Sequence, residues 1–206
     1  MTIIGLTGPT GAGKGLAGSF FEKAGIPVID TDAVYHDLLV PPSVCLDEIV
    51  GTFGPAFLNG DGSLNRPLLA SYVFDKDAPD RKDRQKTLNE IAHRHILARV
   101  KEMILDAEHD HIKGICIDAP LLFESGFDKI CDHVVAVLAP QKTRLERIIR
   151  RDGIDHEKAK ERMEAQQEDG YYEKRSDFVI VNDKDPGKVE DEVFKILRKT
   201  GVIPRE

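Results

Sequence analysis

"TIIGLTGPTGAGKGLAGSFFEKAG", residues 2–25, decides the architecture. Its first six residues are apolar and largely β-branched, the composition of a strand buried on both faces. "GPTGAGKG" at 8–15 follows at once, with the spacing G-x-x-x-x-G-K of a phosphate-binding loop. Gly8, Gly11 and Gly13 let backbone N–H groups turn inward with no Cβ in the way. A helix starting near Gly13 adds the positive end of its dipole, and Lys14 adds a mobile ammonium group. Leu16, Phe20 and Ala24 recur at four-residue spacing and predict one apolar helix face, with Gly25 as its stop. An ordinary glycine-rich turn is the alternative. It leaves unexplained why the full spacing sits directly after the first strand.

One letter departs from the usual loop. Ser or Thr normally follows the Lys, and its hydroxyl helps to hold Mg²⁺; here Gly15 and then Leu16 follow Lys14. Either the loop binds nucleotide without transferring phosphate, or Mg²⁺ keeps mostly water ligands. "GAGKG" also resembles the adenylate kinase loop, where Gly follows the Lys, which implies that Gly15 is compatible with phosphoryl transfer. Those kinases continue with Thr, whereas this chain has Leu16. The other parts of a kinase are present, and they favour the active reading.

Working outward, "IPVID" predicts a second strand ending at Asp30, "GICID" (114–118) a third ending at Asp118, and "HVVAVLA" (133–139) and "DFVIV" (177–181) two more. Helices are expected near 142–151, 155–168 and 186–199. Strands alternating with helices imply a parallel α/β sheet. Between Ala33 and about residue 111 the pattern becomes helical and is broken by Pro41, Pro42, Pro79 and "NGDG" at 59–62. Asn65 is a candidate cap with Pro67 in the first turn. Residues 89–107 predict a long helix with Ile96, Val100 and Ile104 on one stripe. The expected division is a core of 1–32 and 112–206, with a lid at about 150–170, and a mainly helical insertion at 33–111.

Three acids fall at strand ends, where open parallel sheets bind ligands: Asp30, Asp32 and Asp118. Asp30 and Asp32 are two apart, so in extended chain their side chains point the same way. Asp32 can orient an attacking hydroxyl or accept its proton, and Asp32 and Asp118 can hold a Mg²⁺-bound water. Helix capping by "DTDAV" is the competing role for a single Asp. "RLERIIRRDG" places Arg147 and Arg151 on one helical face, suited to a lid closing over ATP. A solvated helix end is the other reading.

Composition limits the rest. The chain has 206 residues, 41% of them hydrophobic and 32% charged, enough for a large core under a well-solvated surface. A net charge of -7 argues against a general nucleic-acid binder and leaves room for a small anionic ligand held by a local basic cluster. Three cysteines without C-x-x-C spacing disfavour a disulfide framework or zinc site. With no signal peptide and no run of membrane-spanning length, a reduced cytoplasmic compartment is the default expectation.

The chain resembles dephospho-CoA kinases over nearly its whole length. The resemblance rests on "GLTGPTGAGKG", "VIDTDAVYHDLL", "GDGSLNRPLLASYVFDKD", "LNEIAHRHI", "DAPLLFE", "RLERIIRRDG" with Gln166 downstream, and "SDFVIVND". It implies a three-layer P-loop NTPase-type α/β fold with a parallel sheet, a helical acceptor-binding insertion and a small helical lid. It also implies transfer of the ATP γ-phosphoryl group to the ribose 3′-hydroxyl of dephospho-CoA, with Mg²⁺. Asp32 would be the catalytic carboxylate. Lys14 and the loop (Gly8, Gly11, Ala12, Gly13, Gly15, Leu16) would bind ATP, with Asn182 near the adenine and Arg147 and Arg151 in the lid. Arg66, His93, Pro120, Leu121, Leu122 and Glu124 would line the acceptor site, in a monomer or weak homo-oligomer. Arg94 stands where the family commonly has Pro, so the helix carrying His93 is expected to run on unbroken. The rivals are another nucleoside-monophosphate-type kinase such as adenylate kinase, although no "DGFPR"-like segment occurs, and a non-catalytic nucleotide-binding protein.

Overall fold

The computed structural model describes residues 1–204. In chain order it contains β1 (Thr2–Thr7), α1 (Lys14–Lys23), β2 (Val28–Asp30), α2 (Thr31–Asp37), α3 (Val44–Phe53), α4 (Arg66–Val73) and α5 (Arg81–His109). Then come β3 (Gly114–Asp118), β4 (His133–Leu138), α6 (Gln141–Asp152), α7 (His156–Glu164), α8 (Asp169–Arg175), β5 (Phe178–Val181) and α9 (Pro186–Lys199). The chain divides into a sheet unit, Met1–Asp30 with Leu105–Glu206, and a helical unit, Thr31–Ile104. The expected insertion was 33–111.

The sheet is fully parallel in the order β2-β3-β1-β4-β5. Its strands are continuous apolar runs because both faces are covered. Alternation assigns the faces. Ile4, Leu6, Cys116, Val135 and Val137 point into a core shared with α1 and α9, whose Phe21, Val193 and Leu197 are fully buried. Ala136 and Leu138 point to the other face, where Tyr172 of α8 packs. All strands run one way, so Thr7, Asp30, Asp118 and Leu138 end at one edge, the edge parallel sheets use for ligands.

The predicted face of α1 is shifted by one residue. Ala17, Gly18 and Phe21 are buried, while Leu16, Phe20 and Ala24 pack half-buried at the rim of the same core. Ala17 and Gly18 lie on the buried face, and a Cβ on Gly18 would make an ordinary contact with Val28 Cγ1 at 3.9 Å, so the packing leaves room for alanine there.

The helical unit has its own core of Leu39, Leu46, Ile49, Phe57, Leu69, Val73 and Ile91, among others. Ser43 caps α3 by accepting from Leu46 N–H at 3.2 Å, and Asn65 caps α4 by accepting from Leu68 N–H at 3.1 Å. Each satisfies a donor the helix start leaves unpaired. Helix α5 starts at Arg81, eight residues before the predicted Asn89, through a charged stretch with no apolar period to announce it. Its stripe of Ile96, Val100 and Ile104 is buried as expected. Helix α8, at seven residues too short to show a period, escapes sequence reading altogether.

Candidate active site

The glycine loop joins β1 to α1. Gly13 is the residue capping α1, with φ of 97°, a left-handed conformation that favours glycine. A Cβ there would lie 2.1 Å from Asn182 Nδ2, and one on Gly8 would lie 2.1 Å from the Val137 carbonyl oxygen. Both positions therefore exclude any other residue without rearrangement. Ala12 is fully buried, and its N–H donates to Pro9 O at 3.1 Å, which tightens the turn. Leu16 N–H donates to Gly13 O at 3.1 Å. The preceding first-turn amides, Lys14 and Gly15, are those a helix leaves without an intrahelical acceptor, and they suit an anion.

Lys14 Nζ lies 2.6 Å from Asp118 Oδ1 at the end of β3, with both side chains mostly buried (18% and 15% exposed). The ammonium group is thus held at the mouth of the loop by a carboxylate. Asp30 pairs in register with Asp118 across β2 and β3, so two carboxylate-bearing residues lie side by side at the ligand edge of the sheet unit. Among the described residues no group of three or more His, Cys, Asp or Glu comes together as a metal site. Hard oxygen donors with few protein ligands fit a Mg²⁺ ion that keeps most of its water.

The arginines of α6 take three different tasks. Arg147 Nη1 donates to Gly11 O at 3.2 Å and Ala12 O at 3.1 Å, and its Nη2 donates to Asn182 Oδ1 at 3.0 Å. Asn182 is 2% exposed and donates from Nδ2 to Ala12 O at 2.9 Å. Together they brace the loop from behind. Arg151 donates to Asp152 from Nε at 2.7 Å and reaches Thr10 Oγ1 from Nη2 at 3.4 Å. The hydrogen bond from Arg151, reinforced by Arg162, holds the Asp152 carboxyl below its usual range. Arg144, to which sequence reading gave no separate role, is 5% exposed and pairs with Asp169 of α8 at 3.3 Å.

Two expectations change. Asp30 ends β2 and Asp32 already lies in the first turn of α2, so they do not share an extended segment and the two-residue period does not apply. Asp32 is a helix residue and not a strand residue, and its charge suits the positive end of that helix. Leu122 is core, 0% exposed, and its Cδ2 would meet a Cβ on Gly5 at 3.0 Å. Of the residues expected there, Pro120, Leu121 (48% exposed) and Glu124 remain for a ligand surface.

Within the helical unit, Arg66 Nη1 contacts the His36 ring, 2.8 Å from Nδ1 and 3.0 Å from Nε2. His36 received no role from sequence reading. The signal was its position four residues after Asp32, on the same face of α2. His93 is half-buried on α5, which runs unbroken past it. Arg94, in place of Pro, pairs with Glu48 of α3, and Glu48 also meets His95 Nε2 at 2.7 Å.

A parallel sheet with a glycine loop and lysine between its first strand and helix, braced by arginines, defines a P-loop phosphotransferase. The model of the dephospho-CoA kinase family matches residues 2–187. A dephospho-CoA kinase of Listeria monocytogenes is 34% identical over 95% of this chain and 96% of its own. The crystal structure of a Thermus thermophilus protein, at 28% identity, superposes with a TM-score of 0.80 over 96% of this chain and 97% of that one. The dephospho-CoA kinase of Campylobacter jejuni, at 24% identity, shares the fold with a TM-score of 0.69 over 96% of each chain. The chain belongs to the dephospho-CoA kinase family: it is a kinase that phosphorylates dephospho-CoA with ATP, in coenzyme A biosynthesis. The adenylate kinase reading of "GAGKG" finds no support in these matches.

Proposed function

We propose that the chain's reaction is in-line transfer of the ATP γ-phosphoryl group to the ribose 3′-hydroxyl of dephospho-CoA, with the following roles. The amides of the glycine loop and the start of α1 bind the β- and γ-phosphates, and Lys14 offsets charge gathering on them. Asp32 orients the 3′-hydroxyl and takes its proton as the oxygen bonds to the γ-phosphorus. The bond from γ-phosphorus to the bridging oxygen breaks, and ADP leaves. Arg151 supplies positive charge to the transferring group, whereas Arg147 and Asn182 act mainly by holding the loop. Asp118, with Asp30 beside it and Asp32 contributing through water, would hold Mg²⁺, which neutralises phosphate charge when bound. The helical unit would take the acceptor, with Arg66 and His36 offered to its anionic groups and His93 as a further contact; Pro120, Leu121 and Glu124 are the sheet unit's candidate acceptor residues. No helix of the described residues is long and apolar enough to cross a membrane. We read the enzyme as cytoplasmic and as a monomer or weak homo-oligomer, without a nucleic-acid partner.

The observation that carries this reading is the 2.6 Å Lys14–Asp118 pair at the mouth of a loop that tolerates no side chain at Gly8 or Gly13. A coupled assay offering dephospho-CoA and AMP tests it. Turnover is expected with dephospho-CoA, and Asp32→Asn should lower kcat by about 10²- to 10⁴-fold, the usual worth of a positioned base. Turnover of AMP with dephospho-CoA ignored would overturn the acceptor, and an unaffected Asp32→Asn would remove that residue from the chemistry.

A further inference from the structure

We infer that Gln166 is a positioning residue for phosphoryl transfer, acting through Thr10 at the tip of the glycine loop. Gln166 lies in the joint between α7 and α8, and its Oε1 accepts the Thr10 N–H at 2.7 Å. That bond spans 156 residues of sequence and is partly buried. The loop is braced on either side of Thr10, by Ala12 N–H on Pro9 O and by Arg147 on Gly11 O, and Gln166 supplies the acceptor for the Thr10 amide itself. Gly8 and Gly11 on either side have positive φ, 142° and 77°, and Pro9 carries no N–H. Glycines retain the most backbone freedom in the absence of outside contacts, so an outside acceptor on Thr10 removes the motion that matters. The joint is itself held: the Arg144–Asp169 pair ties α8 to α6 three residues further on, and the Arg144 backbone abuts Gly11. Gln166 therefore holds the loop, not the reverse. Thr10 also receives Arg151 at its Oγ1, 3.4 Å away, so one residue joins the loop to both the arginine helix and the joint behind it. A displaced tip would leave the phosphates bound by the lower loop and Lys14 but set the γ-phosphoryl group out of line with its acceptor. Such misplacement costs rate more than affinity.

The inference rests on the reading that this loop binds the ATP phosphates. The test compares Gln166→Leu, which removes the acceptor at similar size, with Gln166→Glu, which keeps a carboxyl oxygen at the same reach, and with Lys14→Ala. Steady-state kinetics, ATP binding by calorimetry and the Tm are measured on each. Gln166→Leu should lower kcat by about 10- to 100-fold with KM for ATP changed less than about threefold. Gln166→Glu should restore most of kcat while raising KM for ATP, because its charge repels the triphosphate. Equal loss of kcat in both variants at an unchanged Tm would overturn the inference, as would an unaffected Gln166→Leu. Wild-type hydrogen exchange supplies a check that needs no variant to fold: the Thr10 amide should be protected, and free exchange there would also overturn it. Lys14→Ala keeps the two readings apart. If it leaves ATP binding intact, the loop reading fails; if it abolishes binding while Gln166→Leu is silent, only Gln166 loses its role.

Discussion

Two glycines of one motif carry opposite meanings. Gly13 is demanded by its left-handed φ and by Asn182 Nδ2, 2.1 Å from where a Cβ would stand. Gly15 lies in the first turn of α1, exposed, with nothing within 4 Å of an added Cβ. The fold therefore does not impose glycine at 15, and the missing hydroxyl is a chemical choice. Gly15→Ser should raise stability by about 0.5 kcal/mol through helix propensity, read from the urea midpoint. It should also lower the Mg²⁺ concentration giving half-maximal rate; an unchanged Mg²⁺ dependence would mean the metal takes no ligand from that position. Gly13→Ala should behave oppositely, losing ATP affinity and about 1–2 kcal/mol to backbone strain alone. The motif was legible letter by letter. What separates its glycines was not, because Val137 of β4 and Asn182, just past β5, arrive from more than a hundred residues away.

Helix α6 makes the same point one level up. Spacing placed Arg147 and Arg151 on one face and could not see that the carbonyls of Gly11 and Ala12 would face the first, Asp152 the second, and Asp169 their neighbour Arg144. Arg144→Ala should cost about 2 kcal/mol, because it strands Asp169 and opens a buried site. The loss is smaller than for a fully buried pair, since Asp169 keeps 37% of its side chain exposed. Chemical denaturation at neutral pH measures it. Asp152 gives the same region an acid limit. Its carboxyl is held below the ordinary 3.8 by its bond from Arg151 and by Arg162, so the folded form binds its proton less readily than the unfolded one. That contribution is fully present above pH 3.8 and disappears as pH falls through the lower folded value. The protection factors across 150–165, taken relative to the intrinsic exchange rate at each pH, should therefore fall below pH 3.8 in the wild type, and Asp152→Asn should abolish that fall. Elements announced by period or caps, such as β1, α4 and α9, were readable within a residue or two. Helix α8 and the first two turns of α5 were not, because a seven-residue helix and a charged helix start offer no apolar repeat.

At the scale of the whole chain, division was visible in composition: proline and glycine breaks mark off a helical stretch between two strands. The boundary itself was not, because the chain turns into α2 at Thr31 without a breaker, and α5 carries residues of both units. Each unit has a core of its own, the sheet unit around Ile4, Leu6 and Phe21 and the helical unit around Ile49, Leu69 and Val73. Two cores allow two binding events to be followed separately. A ligand that binds only the folded form stabilises what it touches by about 2.7 kcal/mol at a hundredfold excess over Kd, slowing exchange there first. With a net charge of -7, neither anionic ligand gains from general attraction, so protection should stay local to the basic clusters. A non-hydrolysable ATP analogue alone should protect 8–17 and 141–152 in the sheet unit and leave α2 to α4 unchanged. Dephospho-CoA alone should protect α2 and the start of α4, where Asp32, His36 and Arg66 lie, and leave 8–17 unchanged. If dephospho-CoA instead protected only the sheet unit, the helical unit would not be the acceptor domain and Asp32 would lose its claim to the 3′-hydroxyl. Protection of both units by the acceptor alone would mean that its binding reaches the glycine loop before ATP does.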